Sequence, residues 1–166
     1  MTGAVVWITG LPSSGKSTLA VRVHHVLLSE GRASCVLDGD AVRDALVPHP
    51  GYDPEGRDNF YQTLGRLAAM LAHQGLVVLV PATAHLRAYR DQARARAPRL
   101  LEVYMDVSRE TCHERDAKGL YQAARSCAID KLPGADLKYE PPPAPEIIAT
   151  GGEDEQAVQS ILRALR

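Results

Sequence analysis

Eight consecutive residues near the amino terminus match the phosphate-binding pattern G-x-x-x-x-G-K-[ST]. They are Gly10, Leu11, Pro12, Ser13, Ser14, Gly15, Lys16 and Ser17. The two glycines of such a loop allow successive backbone N–H groups to face the β-phosphate of a nucleoside triphosphate. The lysine adds positive charge there, and the serine hydroxyl can bind the Mg²⁺ that bridges the β- and γ-phosphates. The pattern therefore predicts binding of a nucleoside triphosphate with Mg²⁺.

Two carboxylates follow the second apolar run of the chain, in the segment Asp38-Gly39-Asp40. Ligands of open parallel α/β sheets lie beyond the carboxyl ends of the strands, so this segment should lie beside the phosphate loop. Strand alternation predicts that both side chains point the same way. One would accept the proton of an attacking hydroxyl and the other would serve the metal ion. We assign Ser17 and Asp38 to the metal, while the residues leave open which carboxylate is the base.

The alternative for this segment is a purely structural role, in which Asp40 caps a helix that follows it. We favour function because of the expected position at the crevice.

Four basic residues are candidates for binding anions. Arg43 and Arg57 flank residues 48–58, a segment rich in Pro, Gly and acidic residues, which could hold both over an anion. Arg115 lies just before a stretch, 117–145, in which Pro and Gly break regular structure, and Lys118 lies at its start. Long loops in compact domains usually carry function. We predict a cationic lid that closes over phosphates and excludes water. The alternative for each residue is a solvated surface charge.

Apolar runs that alternate with helical patterns predict the elements that must position these side chains. The predicted strands are residues 4–9, 34–37, 76–80, 100–107 and 147–149. The predicted helices are residues 17–28, 87–97 and 155–165, and a segment with an apolar stripe of Phe60, Leu64, Leu67, Ala68 and Leu71. Five strands separated by helices indicate an α/β fold with a parallel sheet flanked by helices. Trp7, in the first strand, is predicted to be core.

Bulk composition narrows the classes of partner. The chain has 166 residues, 45% of them hydrophobic, which fits one domain over 1–166. A formal net charge of -1 offers no basic field, so neither nucleic acid nor a membrane surface is expected as a partner.

Cys35, Cys112 and Cys127 form no CxxC pair, which favours reduced thiols over zinc. Without a signal or membrane-spanning pattern, we expect a cytoplasmic protein.

In these residues and their spacing, the chain resembles the adenylylsulfate kinase family of P-loop kinases, which uses ATP to phosphorylate the 3′-hydroxyl of adenosine 5′-phosphosulfate (APS). The resemblance spans nearly the whole chain. Its motifs are GLPSSGKST at 10–18, LDGDAVR at 37–43, ERDAKGLYQAAR at 114–125 and the weaker PGADLKYEPP at 133–142.

The resemblance implies a P-loop kinase fold, Mg-ATP as the phosphoryl donor, a mobile lid over roughly residues 115–145 and a small anionic acceptor. It also makes a homodimer plausible. Thr18 and Arg115 join the phosphate loop in the implied donor site, and Lys16, Asp38, Asp40 and Lys118 are the implied catalytic residues. The implied acceptor-binding residues are Asp40, Arg43, Tyr52, Arg57, Lys118, Leu120 and Leu132, with Tyr52 against the acceptor's base.

The chain departs from the family's pattern mainly in the acceptor half. Phe60 stands where the family has Asn, and Gln62 and Thr63 stand where it has paired arginines. After the third predicted strand, the family has an aromatic residue, an aliphatic residue, Ser and Pro, where this chain has Ala82, Thr83, Ala84 and His85. In the lid, the family has Phe, Thr and Gly, where this chain has Leu132, Pro133 and Gly134. This chain therefore lacks one of the two aromatic residues that would enclose the acceptor adenine. The loss removes ~0.5–1.5 kcal/mol of stacking free energy beyond that of buried area.

Three functions stay open at this point. The leading one is phosphorylation of APS, and the second is phosphorylation of another small alcohol or nucleotide-like intermediate in a specialised biosynthetic pathway. Retention of Arg43 and Arg57 argues for an anionic acceptor in both cases. The third, favoured least, is a nucleotide-binding regulator without catalysis.

Overall fold

The computed structural model describes residues 3–116, 119–125, 132 and 137–166. Within these ranges the strands are β1 (Ala4–Thr9), β2 (Ser34–Val36), β3 (Val77–Pro81), β4 (Leu100–Met105) and β5 (Ile147–Ala149). The helices are α1 (Lys16–Ser29), α2 (Gly39–Ala45), α3 (Pro54–His73), α4 (Arg87–Arg96), α5 (Arg109–Arg115), α6 (Leu120–Arg125) and α7 (Glu155–Ala164).

All five strands run parallel in one sheet, in the order β2-β3-β1-β4-β5. The predicted fold class is confirmed, and each observed strand overlaps its predicted run. β1 is central, with Val6 paired to Leu79 on one side and Leu101 on the other. The phosphate loop that follows β1 therefore emerges at the middle of the sheet's carboxyl edge, where ligands of such folds bind.

Side chains of β1 alternate between two apolar layers, as the pleat requires. Val6 and Ile8 pack in the layer that α1 and α7 cover, whereas Val5 and Trp7 pack in the layer that α3 and α4 cover. Trp7 is fully buried, as predicted for a core residue. Burial of both faces explains why the central strands are continuous apolar runs in the sequence.

Three short helices, α2, α5 and α6, lie outside the predicted helical segments. Helix α2 begins directly after β2, and the Asp38 side chain caps it by accepting hydrogen bonds from the N–H groups of Asp40 and Ala41. Helix α6 lies inside the stretch 117–145 that was predicted to lack regular structure, so that prediction is wrong for this part. The Asp116 carboxylate accepts hydrogen bonds from the Tyr121 and Gln122 N–H groups and so satisfies the first turn of α6.

No helix among the described residues is both long enough and apolar enough to cross a membrane.

Candidate active site

A cleft of about 1200 Å³ opens at the carboxyl edge of the sheet. It joins the phosphate loop, the start of α2, one face of α3, the end of β3 and the turn after β5. Of the predicted site residues that the structure describes, it is lined by Pro12, Ser13, Gly15, Lys16, Ser17, Thr18, Asp38, Asp40, Arg43, Tyr52, Arg57, Arg115, Leu120 and Leu132. Gly10, Leu11 and Ser14 belong to the same loop but do not line the cleft, and Lys118, Pro133 and Gly134 lie outside the described residues.

The phosphate loop has the backbone conformation that its glycines predict. Gly15 has φ +95°, in the left-handed region, and directly precedes α1. A Cβ at this position would lie 2.6 Å from the Gly152 nitrogen, so the close approach of the β5–α7 turn also requires glycine. The Lys16 ammonium donates hydrogen bonds to the carbonyl oxygens of Gly10 (3.1 Å) and Leu11 (2.8 Å), so it already lies over the loop that would hold phosphates.

Ser17 and Asp38 meet at the foot of the cleft. The Ser17 hydroxyl donates a hydrogen bond of 2.5 Å to Asp38 Oδ2, while Asp38 Oδ1 accepts from the Asp40 N–H at 3.0 Å. A hydroxyl beside a carboxylate is the hard oxygen set that Mg²⁺ takes together with phosphate oxygens and water. The residues present therefore fit the predicted metal.

The predicted alternation of Asp38 and Asp40 along a strand is wrong. Strand β2 ends at Val36, Asp38 is the N-cap of α2, and Asp40 is in the first helical turn. The capping role that was considered for Asp40 belongs to Asp38. Both carboxylates still line the cleft, since the helix begins at its edge.

The turn after β5 supplies cleft residues that the sequence reasoning missed, from Thr150 to Asp154. The Thr150 N–H and hydroxyl both donate to Asp154 Oδ2 at 2.9 Å, which fixes the turn. Gly152 lies against Thr18, since a Cβ at Gly152 would come within 2.7 Å of the Thr18 Cβ. Adjacent glycines directly after the last strand were the available signal for this close approach.

Arg43 is buried in the part of the cleft that was predicted to bind the acceptor, with only 5% of its surface exposed. Its guanidinium lies 3.9 Å from the centre of the Phe60 ring and 4.5 Å from that of Tyr52. It donates to the carbonyl oxygens of Pro50 and Gly51 at 3.1 Å each, and it makes no ion pair with any carboxylate in the described part of the chain. A buried cation whose partners here are neutral is ready to bind an anion.

Arg57 lies close by on α3 and is also buried. Its Nε donates to the Tyr52 carbonyl oxygen at 2.6 Å, and its guanidinium lies 5.6 Å from the centre of the Tyr52 ring. Burial lowers the pKa of Arg57, and the like charge of Arg43 lowers it further. Arginine nevertheless stays protonated in proteins, so the two residues place concentrated positive charge in this half of the cleft.

Phe60 and Tyr61 both line the cleft, although the sequence singled out only Phe60. Phe60 belongs to the apolar layer under α3, as its place in the apolar stripe predicted, and it is also a wall of the cleft. Tyr61 stacks on Tyr89 with ring centres 4.6 Å apart, and its hydroxyl accepts a hydrogen bond of 3.1 Å from the Ala84 N–H.

A polar network fixes the loop after β3, whose residues Ala82 and Thr83 line the cleft. The buried Arg90 guanidinium donates to the Ala84 carbonyl oxygen at 2.5 Å and to Glu102 Oε1 at 2.7 Å. The Thr9 hydroxyl donates to the Thr83 carbonyl oxygen at 2.7 Å. Ala84, at φ +40°, is thus held through both its N–H and its C=O in a conformation that a residue with a Cβ rarely adopts.

Tyr121, a described residue of the predicted lid, contacts the phosphate loop. Tyr121 of α6 is buried, and its hydroxyl donates to the Pro12 carbonyl oxygen at 3.0 Å. Arg115, the last residue of α5, is exposed, whereas Leu132 is 6% exposed. Among the lid residues that were predicted to bind the donor or the acceptor, the structure describes Arg115, Leu120 and Leu132, and all three line the cleft.

Comparison with known proteins agrees with this geometry. The sequence model of the family described as adenylylsulphate kinase matches residues 2–150. An adenylyl-sulfate kinase of Synechococcus sp. (strain JA-3-3Ab) is 37% identical over 99% of this chain and 94% of its own length. One of Aeromonas salmonicida (strain A449) is 39% identical over 98% of this chain and 85% of its own length. The solved Mycobacterium tuberculosis APS kinase in complex with AMPPNP and APS superposes with a TM-score of 0.92 at 35% identity, covering 98% of this chain and 97% of its own.

Proposed function

Because this chain belongs to the adenylylsulphate kinase family, we propose that it transfers the γ-phosphate of ATP to the 3′-hydroxyl of APS. One observation carries the proposal. A single cleft joins a complete phosphate-binding loop, a pair of carboxylates and two buried arginines. These are the parts needed to hold a phosphoryl donor, accept a proton from an alcohol and bind an anionic acceptor.

On the donor side, the phosphate loop from Gly10 to Thr18 and Arg115 bind ATP. The loop directs backbone N–H groups at the β-phosphate, and Lys16 places its charge at the β- and γ-phosphates. Ser17 and Asp38 hold Mg²⁺, consistent with their contact of 2.5 Å. When bound, Mg²⁺ neutralises charge that develops on the transferred phosphoryl group.

On the acceptor side, we assign the base to Asp40. Both oxygens of Asp38 are engaged, one with Ser17 and one with the first turn of α2, which suits a metal ligand with fixed geometry. Asp40 is exposed in the cleft two residues later and can take the proton of the attacking hydroxyl. A carboxylate in this role also positions the hydroxyl for in-line attack.

Arg43 and Arg57 bind the phosphosulfate group of the acceptor. Both are buried, and the two guanidinium groups offer paired donors that match sulfate and phosphate oxygens. The Tyr52 ring, 56% exposed, is available to lie against the adenine. Leu132 offers an aliphatic wall in place of a second aromatic ring.

The lid, residues 115–145 with Lys118 and Leu120, closes the cleft and excludes water during transfer, which limits ATP hydrolysis. Contacts of Leu120 and Leu132 with the cleft support this part of the proposal.

Phosphorylation of a different anionic alcohol is the second candidate. The specific observation in its favour is the Phe60 ring, which stands at the cleft wall where the family pattern has Asn. Leu132 and Ala82 also line the wall, at positions where the pattern has aromatic residues, so this half of the cleft offers less stacking surface than the pattern predicts. An acceptor without a purine base to stack would suit that change.

The proposal extends to organisation and location. We propose that residues 1–166 act as one kinase domain in the cytoplasm, as a homodimer that binds neither nucleic acid nor membrane. Light scattering of the purified protein measures the mass of the assembly.

The test is ATP turnover by the purified protein with APS, with no acceptor, and with a panel of other anionic alcohols. We expect ADP release that depends on APS and is lost in Lys16→Ala, which removes charge from the β- and γ-phosphates. Turnover only with another alcohol would establish the second candidate. ATP binding without turnover on any acceptor would favour the non-catalytic regulator.

A further inference from the structure

Tyr61 is a buried polar residue for which the proposed reaction has no role so far. It lines the cleft, yet only 7% of its surface is exposed. Its hydroxyl accepts a hydrogen bond from the Ala84 N–H, and in the described part of the chain it makes no other hydrogen bond. A phenol is both donor and acceptor, so its proton is left to donate. A buried donor costs free energy unless a partner reaches it.

The position of Tyr61 indicates which partner that is. Tyr61 follows Arg57 by four residues on α3, a spacing that puts two side chains on the same helix face. Tyr61, Arg57 and Arg43 all line the cleft. The Phe60 ring contacts both Arg43, at 3.9 Å from its centre, and the Tyr61 ring, at 5.1 Å between ring centres. Tyr61 therefore lines the same part of the cleft as the two cations that we assign to the acceptor's anionic group.

The Tyr61 side chain is fixed before any ligand arrives. Its ring stacks on Tyr89 and makes an edge-to-face contact with Phe60, with ring centres 5.1 Å apart, and the Ala84 N–H donates to its oxygen. Arg90 in turn holds the Ala84 carbonyl. Burial raises the pKa of the Tyr61 phenol, so the proton stays in place at neutral pH.

We infer that the Tyr61 hydroxyl is a third donor to the anionic group of the acceptor, beside Arg43 and Arg57. The inference rests on the proposed function for the identity of that group, a phosphoryl or sulfonyl oxygen. It makes Tyr61 an acceptor-binding residue, and it links acceptor binding to the loop after β3 through Ala84.

The test compares Tyr61→Phe with Tyr89→Phe. Both substitutions remove one hydroxyl from the stacked pair, but Tyr89 does not line the cleft. We expect Tyr61→Phe to raise KM for APS about two- to twelvefold, the factor for a hydrogen bond of ~0.5–1.5 kcal/mol. KM for ATP should stay as in wild type, and Tyr89→Phe should leave both constants unchanged.

A second measurement is independent of turnover. Millimolar inorganic sulfate should raise Tm of wild type and Tyr89→Phe by binding at the arginines, and should raise Tm of Tyr61→Phe less. General stabilisation by sulfate acts equally on all three proteins.

The outcomes separate the two proposals. Wild-type turnover of APS with an unchanged KM in Tyr61→Phe overturns the inference and leaves the proposed function standing. No turnover of APS, but a weaker effect of sulfate on Tyr61→Phe, overturns the proposed function and supports the hydroxyl as an anion donor. No turnover and equal effects of sulfate overturn both. A higher KM for APS together with equal effects of sulfate overturns the placement at the anion, since the hydroxyl then contacts another part of the acceptor.

Discussion

Replacing Asp38 separates its two contacts, one to the first turn of helix α2 and one to Ser17 in the proposed metal site. Asp38→Asn keeps a side-chain oxygen for the N–H groups of Asp40 and Ala41, and Asn caps helices as well as Asp does. It removes the negative charge beside the Ser17 hydroxyl, 2.5 Å away. Asp38→Ala removes both the cap and the charge.

The expected magnitudes differ between the two variants. Losing the cap costs ~0.5–2 kcal/mol of stability, whereas Asp38→Asn loses only the interaction of its charge with the helix dipole, ~0.3–1 kcal/mol. For a chain of this size, 1 kcal/mol corresponds to about 2–4 °C in Tm. Loss of the charge on the metal should lower kcat by about 10²- to 10³-fold in both variants, a factor typical of one lost electrostatic contact in an active site.

The assays are thermal unfolding and steady-state ADP release over a series of Mg²⁺ concentrations. Asp53→Asn is the matched control, because Asp53 caps α3 by accepting from the Gly56 N–H at 2.9 Å but does not line the cleft. We expect Asp38→Asn to lose turnover with little loss of Tm and to need more Mg²⁺. The metal role would be refuted if Asp38→Asn had near-normal turnover and Asp38→Ala lost activity only in proportion to its fall in Tm. Asp38 would then act only as the cap of α2.

Further predictions concern the acceptor site, the phosphate loop and a buried histidine. Arg57→Lys should raise KM for APS about 10- to 100-fold by losing paired charge-assisted hydrogen bonds, while Arg66→Lys on the exposed side of α3 should not change it. Tyr121→Phe should cost ~1 kcal/mol in urea unfolding and raise KM for ATP, since the buried hydroxyl holds the Pro12 carbonyl of the phosphate loop. Burial and then the charge of Arg57 lower the pKa of His85 to about 4, so the unfolded chain, where histidine titrates near 6.5, takes up the proton first. Wild type should therefore lose stability relative to His85→Phe as pH falls from about 7 to about 4, and parallel curves of urea midpoint against pH would contradict this.

The sequence predicted the elements with the strongest apolar patterns. The first strand was placed at the observed residues, and helices α1, α4 and α7 were placed to within about two residues. Short elements were harder, because α2 follows a strand of three residues and its capping aspartate resembled a strand exit. Helix α6 was missed because Pro and Gly around it dominate the local pattern.

The same contrast applies to the site. The phosphate loop is contiguous, so its letters alone indicated its chemistry, and both arginines were found from their position after the second strand. Tyr61 was not singled out because its place in the cleft wall depends on tertiary contacts such as its hydrogen bond to Ala84, 23 residues away in sequence. The turn at Gly151 and Gly152 was missed for a similar reason, since its approach to Gly15 is a tertiary contact.

The central claim is transfer of the γ-phosphate of ATP to the 3′-hydroxyl of APS. The most direct measurement is the position of the new phosphate, determined by mass spectrometry and ³¹P NMR after incubation of the purified protein with Mg-ATP and APS. The account predicts one product, 3′-phosphoadenosine 5′-phosphosulfate, formed together with one ADP. ADP formed without any phosphorylated APS, or a phosphate at another position, would contradict it.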